Sequence, residues 1–409
     1  MATGDSRIRS FYVFRALTSF SLWLPFWTLW VYQNLDSVFL VTVVDSAFWI
    51  TMIFFQIPAG LIGDRYGRRV VLFLGEALYA VGVLAFGLST EFTGYLFSNV
   101  VWALGVCFIV SGDTPFVYDT LLELRKPEKF MTVMGTANAI MLFMNAIACV
   151  IGGIIVQQTD RKDLTLIIAS VIGLVGSFTA LALKEPKVDR HEIGSYRTQL
   201  RAGVKRVFFS RPVLILILFQ ILIEVAVYVM AVFRSIYMNT VLLLNFLEIG
   251  IFFASFAIVG GILTRKAEMI EGRLGERRSL AVMLGMVFFS FVVVFIVKSP
   301  VVIVMQYLIY AVSCIQGPII GGYINKRVES LHRSTVMAIA SMIFTAVLTV
   351  VEIGSGKVAD IWDPQTSLLV LAIGIAPVGI LLMFLWNKEV DQAEADRQVH
   401  RTRVLREPK

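Results

Sequence analysis

The sequence predicts an all-α integral membrane protein that crosses the bilayer about twelve times. Of its 409 residues, 57% are hydrophobic and only 16% are charged. Soluble domains carry about 45–50% apolar and about 25% charged residues. The mean hydropathy of +0.79 would leave a soluble fold with more exposed apolar surface than water tolerates. The apolar residues also gather in stretches of about 20, the length that crosses a hydrocarbon core of about 30 Å as a helix.

Windows of about 19 residues place spans near 10–34, 38–62, 70–90, 94–122, 131–157 and 164–184. A polar stretch follows, then spans near 212–236, 242–264, 279–298, 300–325, 334–358 and 366–387. The chain therefore divides into a six-helix bundle (1–186), a cytoplasmic linker (187–211), a second six-helix bundle (212–388) and a tail (389–409). The short turn at Asn34-Leu35-Asp36 marks the first two spans as antiparallel neighbours. Met1 to Arg9 is polar, and the stretch after it is a full span without an A-x-A-type cleavage site. No cleavable signal peptide is expected from that pattern. In the linker, Val204, Val207 and Phe208 fall at helical spacing among Lys187, Arg190, Arg197, Arg201, Lys205 and Arg206. That segment fits either a charged connector or an amphipathic helix lying on the membrane.

Lysine and arginine give the orientation. About thirty of the 36 basic residues fall in one set of loops, including Arg65, Arg125, Lys126, Lys129, Arg273, Lys326 and Arg327. The opposite set holds Arg161, Lys162, Lys298 and Lys357. The positive-inside rule then predicts a multi-pass protein of the plasma (inner) membrane with both termini cytoplasmic. The net charge of +7 arises between apolar stretches and not on one basic face, which argues against a nucleic-acid partner. Cys107, Cys149 and Cys314 lie inside apolar segments without metal-ligand or disulfide spacing. His191, His332 and His400 fall in polar flanks, and no Walker-type phosphate loop is present. No catalytic residue, metal or cofactor is expected.

The two halves echo each other. Gly112 precedes Tyr118-Asp119 by six residues, and Gly317 precedes Tyr323 by six, with Asn325 just after. Gly67-Arg68-Arg69 follows the second span, and Gly275-Glu276-Arg277-Arg278 follows the eighth, at an offset of 208. Duplicated six-helix halves are a recurring plan of secondary transporters.

The most specific motif is Gly60-Leu61-Ile62-Gly63-Asp64-Arg65-Tyr66-Gly67-Arg68-Arg69. Gly63 and Gly67 permit a tight turn and close helix approach. Asp64 suits a helix N-terminus, where backbone N–H groups and the dipole favour an anion. Arg65, Arg68 and Arg69 suit carboxylates or lipid phosphates. The motif closely resembles the G-x-L-[AG]-D-R-x-G-R-[RK] signature of the major facilitator superfamily. The resemblance implies a conformational role, the motif aspartate latching the halves near the start of the eleventh helix, about Arg333-Ser334. Ser111-Gly112 with Tyr118-Asp119 resembles an S-G-x-x-x-x-x-Y-D pattern of a bacterial branch of that superfamily. Gly317-Pro318 with Gly321-Gly322 is similar to a string of drug–proton antiporters, although there it belongs in the fifth span. The fifth span here has Ala148-Cys149 before Ile151-Gly152-Gly153, a half-match.

The resemblance also implies that helices 1, 4, 7 and 10 line a central cavity. Ionisable groups in hydrocarbon cost at least about 2.5 kcal/mol each, which makes them functional candidates. Glu224 lies midway along the seventh span with Tyr228 one turn on, and suits carrying a proton. Asp113 lies in the fourth span, and Arg15 in the first is expected to pair with Asp119. Gln306 and Tyr310, four apart in the tenth span, and Tyr118 in the fourth complete the substrate and proton candidates. Arg234 can snorkel or attract an anion, and Trp27, Trp30 and Trp102 read as packing or interfacial residues. Asp45, Glu76, Glu248 and Glu352 rank lower, on helices less often lining the cavity. The expectation is a monomeric secondary transporter of a small organic solute, proton-coupled and exporting. Uptake of a sugar or organic acid is the alternative, and a membrane-embedded enzyme or sensor is disfavoured.

Overall fold

A computed structural model describes residues 6–187, 210–328 and 333–404. Side chains at 333–335 and 393–404 lie outside this description, as do most of the linker, His191, His332, His400 and the Arg333-Ser334 partner of the latch. The helices are α1 (Ser6–Thr18), α2 (Trp27–Leu35), α3 (Val38–Tyr66), α4 (Arg68–Leu88), α5 (Phe92–Glu123) and α6 (Phe130–Thr159). They continue as α7 (Asp163–Leu181), α8 (Arg211–Thr240), α9 (Phe246–Ile296), α10 (Ile303–Arg327), α11 (Arg333–Ile361) and α12 (Pro364–Val404). Ten of these are long and apolar enough to cross a membrane.

One place differs from the spans expected. The first span is broken into α1 and α2. Pro25 lies just before α2, and proline lacks the N–H that a continuous helix would use and crowds the carbonyl four residues back. The turn expected between spans eight and nine falls at Gly275, whose non-helical backbone separates two helices within the 51-residue run α9. At 1.5 Å per residue α9 would be about 75 Å long if straight, more than twice the hydrocarbon thickness. Gly275 (φ 73°, ψ 172°) is where it reverses, as Gly67 (φ 100°, ψ 154°) separates α3 from α4. Both are left-handed values that only glycine adopts without strain.

Glu248 is a helix cap and not an intramembrane carboxylate. Asn245 Oδ1 accepts from Glu248 N at 2.9 Å, and Glu248 Oε2 accepts from Asn245 N at 2.8 Å. This reciprocal capping box satisfies two otherwise orphan donors at the start of α9.

α1 and α2 run in the same sense, and from α2 onward each turn reverses the chain, so the turns fall at two ends. Both described chain ends share one of them, the terminal end. There Arg7 pairs with Glu123 at 3.0 Å and Arg277 pairs with Asp391. The opposite, far end holds the turns around 36, 160, 243 and 362. Within the first seven helices, α4 meets α5 through small residues. A Cβ on Gly82 would strike the Trp102 backbone, and one on Gly105 would strike the backbone of Tyr79. Small residues allow this approach, which replaces the water-driven association that membranes lack.

The first seven helices and the last five meet chiefly along α3–α11 and α6–α9. At the far end Asp360 accepts from Ser37 Oγ at 2.5 Å and from Val38 N at 2.6 Å. Gly250 on α9 lies so close to the Cys149 carbonyl on α6 that any side chain there would collide. Helix α8 is buried on most faces, with Phe219, Ile223, Met230, Phe233 and Tyr237 almost fully covered.

Candidate functional site

Both groups of helices enclose a cavity of about 560 Å³. The broken segment between α1 and α2 contributes Ser19, Ser21, Trp23 and Leu24, and Trp27 follows on α2. Irregular backbone at membrane depth is tolerated where it lines a cavity and not where it faces lipid. The walls are largely aromatic. Trp23 meets Trp102 edge-on at 4.5 Å and donates from Nε1 to the Tyr79 hydroxyl at 3.1 Å. Trp49 lies 5.2 Å from the Tyr228 ring and donates from Nε1 to Asp45 Oδ2 at 2.9 Å.

Four charged groupings reach this space. Arg15 pairs with Asp113 at 3.2 Å, both nearly buried. Glu76, one cavity wall over on α4, is 2% exposed, with Oε2 lacking a hydrogen-bond partner. Glu352 on α11 is fully buried with neither carboxyl oxygen hydrogen-bonded, and Asp45 on α3 acts on it electrostatically across the contact between the two groups of helices. Arg234 on α8 is 5% exposed and lies over three rings of the cavity wall: Phe256 at 5.0 Å, Phe253 at 5.7 Å and Tyr310 at 5.8 Å.

The sequence candidates divide. Arg15, Tyr228 and Tyr310 line the cavity, and Asp113 joins it through Arg15. The expected Arg15–Asp119 pair is not formed. Asp113 and Asp119 are six positions apart on α5, about 240° around the helix axis, so they cannot share a partner on one face. Asp119 instead lies 3.6 Å from Arg68. Tyr118 is 46% exposed against Phe130 and faces away from the cavity. Gln306 is fully buried outside the lining, with neither amide atom partnered. Glu224 lies beside the lining and accepts from Gln220 Nε2 at 3.0 Å.

Sequence reasoning ranked Asp45, Glu76 and Glu352 low and treated Trp27 and Trp102 as packing. Asp45, Glu76, Trp27 and Trp102 line the cavity and Glu352 adjoins it through Asp45, while Trp30 packs in the core. Asp45 and Trp49, four apart on one face of α3 and joined by a hydrogen bond, were the available signal.

The glycine–arginine loop lies at the terminal end, away from this cavity. Arg68 joins Asp64 at 2.6 Å and approaches Asp119, tying α3, α4 and α5 together. Asp64 is not the anion at the α4 N-terminus. That place is held by Glu185, which accepts from Arg68 N and Arg69 N, both at 2.7 Å. Asp64 is still on the last turn of α3, so its carboxylate meets the side chain four residues on. Gly60, Gly63, Arg65 and Gly67 complete the motif, with Arg65 lying over Tyr66 at 5.4 Å. Arg69 reaches the Leu181 carbonyl at 3.4 Å.

A family model described as Major Facilitator Superfamily matches residues 10–347. The chain belongs to this superfamily. It is 25% identical over 182 residues to Multidrug resistance protein 2 of Bacillus subtilis, covering 42% of this chain and 44% of that one. It is 29% identical over 153 residues to Multidrug resistance protein MdtM of Escherichia coli, covering 37% and 36%. The matched stretches span less than half the length of these curated relatives. The fold is shared with the nucleoside transporter NupG, at a TM-score of 0.75 and 15% identity over 93% of this chain and 99% of that one. It is shared too with a bacterial homolog of the human lysosomal transporter Spinster, at a TM-score of 0.75 and 14% identity over 94% and 98%. The superfamily is one of transporters and not of enzymes, and this member is a multi-pass membrane protein.

Proposed function

We propose that the chain is a secondary active transporter that exports a small organic solute by alternating access, driven by protons. The observation that carries this is the cavity built by both groups of helices and covered at the far end by breakable contacts. Asp360 bridges α11 to α3 there, and the Gly250 seam joins α9 to α6. Rocking of one six-helix bundle against the other would open that end. Twelve spans follow if α1 and α2 cross as one broken helix and α9 crosses twice. Boundaries at 1–186, 187–211 and 212–388 then give the two bundles and their linker. The uneven distribution of lysine and arginine favours an inner-membrane protein with both termini in the cytoplasm. The two multidrug relatives favour export over uptake.

Proton coupling rests on Asp45 and Glu352. Glu352 is fully buried with neither carboxyl oxygen hydrogen-bonded, and an ionised carboxylate so placed is costly unless it takes up a proton. Losing that proton would set like charges against each other across the α3–α11 contact. Glu224, bonded within its own helix, spans no such contact. Proteoliposomes under an imposed pH gradient, loaded with a panel of organic acids, bases and neutral compounds, test the reading. At least one solute should move with the gradient, and Glu352→Gln should uncouple it while Glu224→Gln leaves it coupled. A panel that stays in place under the gradient would refute proton-driven transport, and a coupled Glu352→Gln variant would refute the carrier assignment.

A further inference from the structure

We infer that Arg234 is the head-group site for an organic anion with a flat apolar body, an assignment that rests on the transport reading above. The two guanidinium groups of the cavity differ in what neutralises them. Arg15 has Asp113 at 3.2 Å. Arg234 is in no described ion pair, and its Nε is buried without a hydrogen-bond partner. The titratable groups acting on it are Tyr310 and Cys314, neither of them an acid that is ionised at neutral pH.

A buried charge without a counter-ion is costly, and buried charges are ordinarily paired. The faces of Phe253, Phe256 and Tyr310 offset part of this cost by cation–π attraction. Aromatic faces leave the five N–H donors of a guanidinium largely unmet. A planar anion supplies what is missing, because carboxylate oxygens match that fork. The rest of the occupant follows from the walls. Trp27, Phe48, Trp49 and Trp102 line the same cavity, and about 560 Å³ is the size of a small organic molecule's site. Half-buried Asn145 on α6 also lines the cavity, its unpartnered Oδ1 free to accept from a donor on the occupant's body but not from its anionic head. An inorganic anion would use Arg234 and leave the aromatic walls idle.

The test compares naphthoate, its uncharged isostere naphthamide and the lipophilic cation tetraphenylphosphonium. Binding is measured by calorimetry on the purified full chain in lipid nanodiscs. Wild type should bind naphthoate about tenfold or more tightly than naphthamide, the scale of a charge-assisted hydrogen-bonded pair. Arg234→Gln should bind the two alike, and Arg234→Lys should fall between. Equal binding of naphthoate and naphthamide by wild type would overturn the assignment. So would preference for tetraphenylphosphonium, binding of none of the three, or undiminished discrimination in Arg234→Gln. Should Arg234→Gln fail to fold, the wild-type comparison and Arg234→Lys decide alone. Transport assays on the same purified chain reconstituted into proteoliposomes separate the two readings. Proton-driven movement of a cation or neutral solute, with naphthoate unbound, removes the anion site and leaves transport standing. Bound naphthoate with no solute moving under a pH gradient removes transport and leaves the anion site standing.

Discussion

The two glycine–arginine loops, 208 residues apart, have nearly the same backbone and different anchorage. Gly67 and Gly275 both take positive φ with extended ψ, and each joins two long helices at the terminal end. Around Gly67 the ties run inward: Glu185 holds the α4 N-terminus, and Arg68, 12% exposed at its side chain, connects Asp64 and Asp119. Around Gly275 the ties are more exposed. Glu276 meets Arg327 at 2.8 Å, Arg277 meets Asp391, and a side chain added at Gly275 would meet nothing within 4 Å. The first loop is built to hold three helices in register, and the second chiefly to reverse the chain.

Substituting the glycines should expose this asymmetry most. Gly67→Ala meets both left-handed backbone strain and the Glu185 carboxylate, 2.9 Å from the new Cβ. It should cost about 2–3 kcal/mol, whereas Gly275→Ala meets strain alone and should cost about 1 kcal/mol. Unfolding in mixed detergent and denaturant measures both, and equal losses would mean that Glu185 does not constrain the first loop. The arginines come next. Arg68→Gln removes the cation that Asp64 and Asp119 share and should cost about 2 kcal/mol, against less than about 1 kcal/mol for Arg327→Gln. Arg327 also packs over Trp386 at 5.0 Å, so a larger loss there would point to packing and not charge.

The turn and the motif were legible before the structure because both are local: glycine, aspartate and arginine at fixed spacing state their geometry in one stretch of chain. The partners were not. Glu185 lies 117 residues from Arg68 and carries no motif. The cavity membership of Asp45 and Glu76 depends on which face of α3 and α4 turns inward, and near-uniform apolar composition hides that face. The break at 19–26 was blurred for a related reason. Windowed hydropathy counts apolar residues and ignores whether proline interrupts the helix.

Smaller effects refine the first loop further. Glu185→Ala removes the acceptor for two backbone N–H groups and should cost about 1 kcal/mol, the usual loss of a helix cap. Equal stability of wild type and variant would assign the capping to water. The weakest effect is a pH dependence at Glu123, on the terminal-end surface. The Lys187 backbone N–H holds its carboxyl below the ordinary glutamate value, with Arg7 adding to the shift. A depressed folded-state value stabilises the fold above the ordinary value, and the gain is lost as pH falls through the folded one. Glu123→Gln should therefore be less stable than wild type at neutral pH, with the gap closing on acidification. A gap that stays constant with pH would contradict this.

The central claim is that the two bundles open one end of the cavity as they close the other. Paired spin labels test it directly, one pair at Gln33 and Trp362 across the far end, the other at Met131 and Met269 across the terminal end. All four positions are exposed. Distances would be recorded in lipid nanodiscs for wild type and for Gly250→Leu, whose side chain cannot fit against the Cys149 carbonyl. Alternating access predicts that Gly250→Leu lengthens the far-end distance and shortens the terminal-end one. Two distances that lengthen together, or a terminal end that ignores the far one, would contradict the account.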